Sequence, residues 1–426
     1  MSTLEKITDQ KSSNIEESVT FNSPTDFYNN MDNFTQGNRH FTSPILSGFE
    51  HIIVKVLLLR RVFQIGLKSY RNPLIAIIGL KKLIDFRRSI HGNVKLNRVV
   101  KSDGRYFFAL NVPGWPSKAF DQFMENSLNR VYSFRPENKH LQTMIFAITK
   151  KCPLRCEHCF EWNTLNDKEV LTLDDLHMIT ERFQDRGIGQ IQFSGGEPLQ
   201  RIDDLISVLK VAKKETDFWI LTSGYGLNIE KAHLLKEAGL TGVDVSLDHW
   251  DPDAHNAFRG LPNSYQWVEQ ASANVRKVDL VLGLTLCATK SFVTEENLWR
   301  YADLTRQLGA GFVQILEPRA VGHYAGKAVD LSSDQQALIE KFYLEINRNK
   351  KYIDYPTFMY PAYHQREIEC FGAGDRYVYV DADGDSHACP FCQEKLGNCI
   401  TESIDKNIEK MREKGCHKFK SVDNEY

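Results

Sequence analysis

The sequence predicts an α/β chain built around a partial (β/α)6 barrel, with a helical N-terminal extension and a small cysteine-rich C-terminal domain. Three observations carry that prediction. Between residues 140 and 330, the strand-like runs TMIFAIT, GQIQFSG, FWILTSG, GVDVSLD, LVLGLTLCAT and FVQILEP alternate with amphipathic stretches such as LDDLHMITERF, IEKAHLLKEAG and EENLWRYADLTRQLG. Repeated strand–helix units need right-handed crossovers and therefore a parallel sheet, and six of them make an incomplete barrel. At 426 residues the chain exceeds the size of one ordinary core, which leaves room for attachments on either side. Seven of the nine cysteines fall into two groups, one after the first strand and one near the C-terminus.

Residues 1–45 are rich in Ser, Thr, Asn and Asp and carry little periodic hydrophobicity, which reads as a polar, mobile tail. Its opening MSTLEKITDQKSSNIEES lacks an apolar signal core, so the chain is expected in the cytoplasm, where thiols stay reduced and clustered cysteines bind metal rather than form disulfides. Residues 46–139 invert this character. VKVLLLRRVF and PLIAIIGLKKLIDFRR mix apolar clusters with Lys55, Arg60, Arg61, Lys68, Arg71, Lys81, Lys82, Arg87 and Arg88, against Asp85 alone. Charges and Pro73 interrupt both runs, so neither can span a bilayer. The favoured reading is helices packed on the protein's own core; a peripheral membrane contact through residues 51–92, on the inner face, stays open. RYFFALNVPGWPSKAF then suggests a short strand and a turn around Pro113 and Pro116.

Within the core, residues 140–330, TKKCPLRCEHCFEW follows the first strand, which places Cys152, Cys156 and Cys159 on a loop at the ligand-binding end of the sheet. Three thiolates can hold three corners of a four-iron cluster and leave one iron open to a substrate. A structural zinc would want a fourth ligand, and His158, next to Cys159, is badly placed to supply it. The second strand ends in Ser194, Gly195, Gly196, Glu197 and Pro198. The third ends in Thr222, Ser223 and Gly224, and the fourth in Ser246, Leu247 and Asp248, followed by His255, Arg259 and Gly260. Read alone, these are ordinary turns, caps and ion pairs as readily as ligand contacts. Cys287, inside an apolar strand, reads as a small buried hydrophobe.

The cysteine spacing and the GGEP motif together resemble the radical S-adenosylmethionine superfamily over about residues 140–320. That resemblance implies a TIM-type partial barrel whose open iron binds the amino and carboxylate groups of S-adenosylmethionine. It further implies reductive cleavage to a 5′-deoxyadenosyl radical, abstraction of a substrate hydrogen, and a reductant such as flavodoxin or ferredoxin. Carried over by motif, Gly195 and Gly196 allow close backbone approach and Glu197 accepts from the methionyl ammonium. Ser223, Ser246 and Arg259 approach the ribose and carboxylate. His158 stands where relatives carry Tyr or Phe near the adenine.

Residues 331–426 begin with the helix SSDQQALIEKFYLEINRNK and continue as ECFGAGDRYVYVDADGDSHACPFCQEKLGNCI. RYVYVDADGD suggests a hairpin turning near Asp383 and Gly384 that brings Cys370 near Cys389. An EF-hand is excluded, because the position that should carry the closing carboxylate is Cys392. The spacing of Gly384 and Cys389 resembles the SPASM and twitch extensions of the same superfamily. This implies one auxiliary four-iron cluster on Cys370, Cys389, Cys392 and Cys399; structural zinc on the same thiols is the competing reading.

Hydrophobic residues at 42%, charged residues at 25% and a formal net charge of -2 suit a globular protein and give no reason to expect nucleic acid as a partner. The function expected is a radical enzyme modifying a ribosomally made peptide. The alternatives are a small-molecule substrate, such as a sugar or antibiotic precursor, and a non-catalytic zinc-binding relic.

Overall fold

The computed structural model describes residues 45–91, 98–135, 141–368, 370, 372 and 374–416. The polar tail expected over residues 1–45 thus lies almost wholly outside the described residues.

After the two-residue strand β1 (Ile45–Leu46), the basic segment folds as a helical hairpin, α1 (Gly48–Tyr70) and α2 (Pro73–His91). Arg71 turns the chain in the left-handed region (φ 55), and the Asn72 side chain caps α2 by accepting from the Leu74 N–H at 2.9 Å. The helices close on each other where Gly66 meets Ala76. Their inner face packs on α3 (Lys118–Val131) through Val62, Ile65, Phe120 and Leu128, and Arg61 donates to Asp121 of α3 at 3.0 Å. This is the core packing expected of the segment, on one of its two faces.

Between the hairpin and α3, β2 (Val99–Ser102) and β3 (Arg105–Phe107) pair antiparallel, with β1 along the other edge of β2. Their side chains plug the barrel from below: Val100, Phe107 and Leu110 pack against Trp219, Val281 and Phe312, which sit at the N-terminal ends of barrel strands. The plug is pinned by Asp217, which accepts from Arg105 Nη1 and from the Gly114 N–H, each at 2.9 Å.

The barrel strands are β4 (Thr143–Ala147), β5 (Gln190–Ser194), β6 (Asp217–Thr222), β7 (Gly242–Ser246), β8 (Val281–Cys287) and β9 (Phe312–Leu316). All six coincide with the expected runs and pair parallel in chain order. Between them run α4 (Leu173–Asp185), α5 (Ile202–Val211), α6 (Ile229–Ala238), α7 (Pro252–Arg259), α8 (Ser264–Lys277) and α9 (Glu295–Gln307). Local chemistry starts them: Thr172 and Asp175 form a reciprocal capping box on α4, Asn228 caps α6, Asp251 caps α7 and Thr294 caps α9.

The sheet does not stop at six strands. Beyond α10 (Ser333–Arg348), the short β10 (Thr357–Met359) pairs parallel with β9, and α11 (Pro361–Ile368) leads to β11 (Tyr377–Val380). β11 pairs parallel with β4 on the far side of the sheet and turns into β12 (Ser386–His387) as the expected hairpin, in which the Gly384 N–H bonds to the Asp381 carbonyl at 3.0 Å. The order is β10-β9-β8-β7-β6-β5-β4-β11-β12. The C-terminal region therefore extends the sheet at both edges, and its hairpin lies beside the first barrel strand, from which the cysteine loop leaves. A last helix, α12 (Ile404–Lys414), returns the chain to residue 416.

Candidate functional site

β4 delivers Cys152, Cys156 and Cys159 into the loop above the C-terminal edge of the sheet, and the second-strand motif holds that loop down. The Gly196 N–H donates to the Thr149 carbonyl and the Glu197 N–H to the Lys151 carbonyl, each at 2.7 Å. A Cβ on Gly195 would stand 2.4 Å from the Thr149 carbonyl oxygen, and one on Gly196 2.3 Å from that of Lys151. The glycines thus serve the contact between the two loops. From above, the turn after β9 presses on the same segment: the His323 N–H donates to the Cys159 carbonyl at 2.9 Å, and His323 Nδ1 lies 2.9 Å from the Cys156 carbonyl. The His323 ring stacks on Trp162 with centroids 3.8 Å apart.

The three thiols are mutual neighbours. Burial pushes Cys152 and Cys159 up to about 12, and the adjacent sulfurs add to the rise. Burial raises Cys156 as well, against the pull of Arg259, whose Nη1 lies 3.5 Å from the Cys156 sulfur. Thiols so placed ionise only beside added positive charge, which a cluster of iron ions supplies. Three neighbouring sulfurs, that of Cys156 buried and those of Cys152 and Cys159 half-buried, with a guanidinium on Cys156, fit a cluster held at three corners.

Arg259 does not reach outward to a ligand. Its Nη2 makes an ion pair of 2.5 Å with Asp248, both side chains being more than nine-tenths buried. Burial alone would lower the Arg259 pKa, but Asp248 and Cys156 reverse the direction and hold it above its ordinary value. Asp248 is held below the usual carboxylate range because Arg259 outweighs the cost of its burial. Asp248 also accepts from the Cys287 N–H at 3.0 Å, and its own N–H meets His255 Nδ1 at 3.2 Å. His255 falls to about 3 and His158 to about 4, chiefly through burial, so both are neutral. The His158 ring stacks on Phe258 at 4.8 Å, and its Nδ1 is buried with no hydrogen-bond partner among the described residues.

Glu197 is fully engaged by the protein. One carboxylate oxygen accepts from Thr222 Oγ1 at 2.6 Å and the Leu199 N–H at 3.1 Å; the other accepts from the Ser223 N–H at 2.9 Å and Ser223 Oγ at 2.6 Å. Four donors thus hold the Glu197 carboxylate, and Ser223 supplies two of them. Ser246 closes β7 opposite Thr285. Two residues below, Asp244 is buried with one oxygen unpartnered and the other accepting from Thr285 Oγ1 at 2.7 Å; burial lifts it to about 7.

The C-terminal thiols assemble differently from the sequence expectation. The Cys389 and Cys392 sulfurs lie 3.3 Å apart, and Cys416 is close enough to Cys370 and Cys392 to raise the pKa of both. Cys399 is elsewhere, its side chain fully buried in the main core and its carbonyl anchored by Arg182 of α4. The return of α12 explains the exchange, because it carries Cys416 back over the group while the turn after Gly397 is fixed beneath α4. Among the described residues, no group of three or more His, Cys, Asp or Glu side chains is arranged to hold a single metal ion.

Phe160, which follows Cys159, meets Tyr379 at 5.7 Å and Phe391, which precedes Cys392, at 6.2 Å between ring centroids. Lys150, two residues before Cys152, bonds Asp383 in the hairpin turn at 2.6 Å. Sequence reasoning missed this junction, although Phe160 and Phe391 adjoin the two cysteine motifs and were the available signal.

Residues 146–304 match the Radical SAM superfamily model. A PqqA peptide cyclase from Streptomyces rochei is 28% identical over 254 residues, 58% of this chain and 68% of that protein. A GTP 3′,8-cyclase from Helicobacter pylori is 30% identical over 190 residues, 42% of this chain and 57% of that enzyme. The chain thus spans little more than half the length of one relative and about two thirds of the other. The crystal structure of Streptococcus suis SuiB bound to precursor peptide SuiA covers 80% of both chains, with a TM-score of 0.52 and 16% identity. A structure of anSMEcpe with bound AdoMet covers 66% of this chain and 84% of that one, with a TM-score of 0.50 and 19% identity. At those identities the structures establish the partial-barrel fold.

Proposed function

We propose that this chain, which carries a radical SAM domain, modifies a ribosomally made peptide by abstracting a hydrogen from it. The family implies a four-iron cluster and S-adenosylmethionine. The carrying observation is the set of three neighbouring thiols on the loop after β4, one buried and two half-buried, clamped by the Gly-Gly-Glu turn below and the His323 turn above. When bound, the cluster and S-adenosylmethionine would supply a 5′-deoxyadenosyl radical. Cys152, Cys156 and Cys159 would hold the iron, and Arg259 would offset thiolate charge at Cys156. Asp248 orients Arg259.

Four further thiols, Cys370, Cys389, Cys392 and Cys416, would hold an auxiliary cluster of the SPASM or twitch kind. Cys416 takes the place assigned from spacing to Cys399. Phe160, which follows Cys159, meets Phe391, which precedes Cys392, and so links the two cysteine segments. A peptide is favoured over a small molecule because the PqqA peptide cyclase aligns over more of the chain than the GTP cyclase does. A reductant of the flavodoxin or ferredoxin type and a reducing cytoplasmic compartment complete the reading, in keeping with nine free cysteines.

The test is isotopic. Reduced, reconstituted enzyme is incubated with S-adenosylmethionine and deuterated short peptides encoded beside its gene. Deuterium passing into 5′-deoxyadenosine identifies the peptide and the abstracted hydrogen. Transfer only from a deuterated metabolite would overturn the peptide reading and leave the radical chemistry standing.

A further inference from the structure

We propose that the outer face of the α1–α2 hairpin docks on an anionic lipid surface. Of the fourteen large hydrophobic side chains exposed among the described residues, nine lie on these two helices. Phe49, Ile52, Ile53 and Val56 recur at helical spacing on one face of α1 and are 76%, 57%, 43% and 60% exposed; Leu74 and Ile77 begin α2 at 70% and 55%. The opposite face of α1 is already buried against α3 through Val62 and Ile65. A helix apolar on both faces, with one of them open to water, is not explained by packing within the chain.

Charge selects the occupant. Arg60, Lys68, Arg71, Lys81, Lys82 and Arg88 are exposed on the same two helices, against the exposed carboxylates Glu50 and Asp85. Because a two-residue connection makes the helices antiparallel, the cationic second half of each lies beside the apolar first half of the other. That juxtaposition of greasy and basic patches matches a headgroup layer, where apolar side chains enter the acyl boundary and ammonium and guanidinium groups meet phosphate. A second copy of the chain would set the same cations against each other. No described helix is long and apolar enough to cross a membrane, so the contact is with the surface.

The test is flotation of full-length protein with vesicles of neutral phosphatidylcholine, alone or with about 30% phosphatidylglycerol. The protein should float with the anionic vesicles, and less so as salt rises from about 0.1 M to about 0.5 M, because ions screen the attraction. Ile52→Ser with Ile53→Ser, both at exposed positions, should abolish flotation while leaving the circular dichroism unchanged. Lys81→Gln and Lys82→Gln should each weaken it about fivefold. Equal recovery with neutral and anionic vesicles, or none with either, overturns the proposal. So does a dimer lost on Ile52→Ser, which assigns the face to a second copy. Flotation gained only on deleting residues 1–44 also overturns it, by assigning the face to that segment.

Discussion

Replacing Arg259 by Met removes one partner of a fully buried ion pair and leaves the Asp248 carboxylate uncompensated. The two groups meet at 2.5 Å, with side-chain exposures of 8% and 3%, so solvent screening is slight. Breaking such a pair costs about 3–5 kcal/mol, most of it the burial of the orphaned charge. Asp248 retains the Cys287 N–H at 3.0 Å, which places the expected loss toward the lower end of that range. Adding Asp248→Asn removes the orphaned charge, so the double variant should recover about half of the loss. A double-mutant cycle should therefore return a coupling of about 2–3 kcal/mol. Urea denaturation of the iron-free proteins, followed by circular dichroism at constant pH, measures each corner. An Arg259→Met loss below about 1 kcal/mol, or a double variant no more stable than the single, would refute the argument that burial of the pair shapes the loop beside Cys156.

Other outcomes follow from the same geometry. Cys416→Ala should lower iron content by about four ions per chain, the complement of one cluster, while Cys399→Ala should keep the iron and cost about 1–3 kcal/mol of stability; iron and sulfide assays distinguish the two. Gly196→Ala would drive a methyl group to 2.3 Å from the Lys151 carbonyl oxygen and should cost the first cluster its iron without changing secondary structure. Full iron loading of that variant would count against the clamp. Asp244 carries a pKa raised by burial to about 7, so its contribution to stability is complete below the ordinary carboxylate range and is lost as pH rises through about 7. Across that window the wild type should lose about 1.4 kcal/mol per pH unit relative to Asp244→Asn, read from urea midpoints at several pH values. Parallel pH profiles would show that Asp244 is ionised throughout.

Much of the fold was legible because the barrel is locally encoded. Each of β4 to β9 is a short apolar run followed by a capped helix, and periodicity and capping residues are properties of neighbouring positions. β10, and the pairing of the hairpin strand β11 with β4, escaped notice for the opposite reason. The two strands are three and four residues long, and each has its parallel partner far away in sequence, Phe312–Gln314 for one and Thr143–Phe146 for the other. The first cysteine group followed from spacing within one loop. The second did not, because the choice between Cys399 and Cys416 depends on where α12 returns and on Arg182 anchoring the Cys399 turn. Glu197 and Arg259 were singled out by motif, as contacts for S-adenosylmethionine. Their hydrogen-bond partners, however, are protein groups brought in by β6 and by the end of β7, which no local pattern records.

The central claim is that Cys152, Cys156 and Cys159 hold the cluster that cleaves S-adenosylmethionine. Its most direct test is 5′-deoxyadenosine formation by anaerobically reconstituted, dithionite-reduced protein, quantified by chromatography beside the triple variant Cys152→Ala, Cys156→Ala and Cys159→Ala. The wild type should release 5′-deoxyadenosine and methionine slowly even without substrate, and the triple variant should release none while keeping the iron of the C-terminal thiols. Equal product from both proteins, or none from a wild type loaded with iron, would contradict the account.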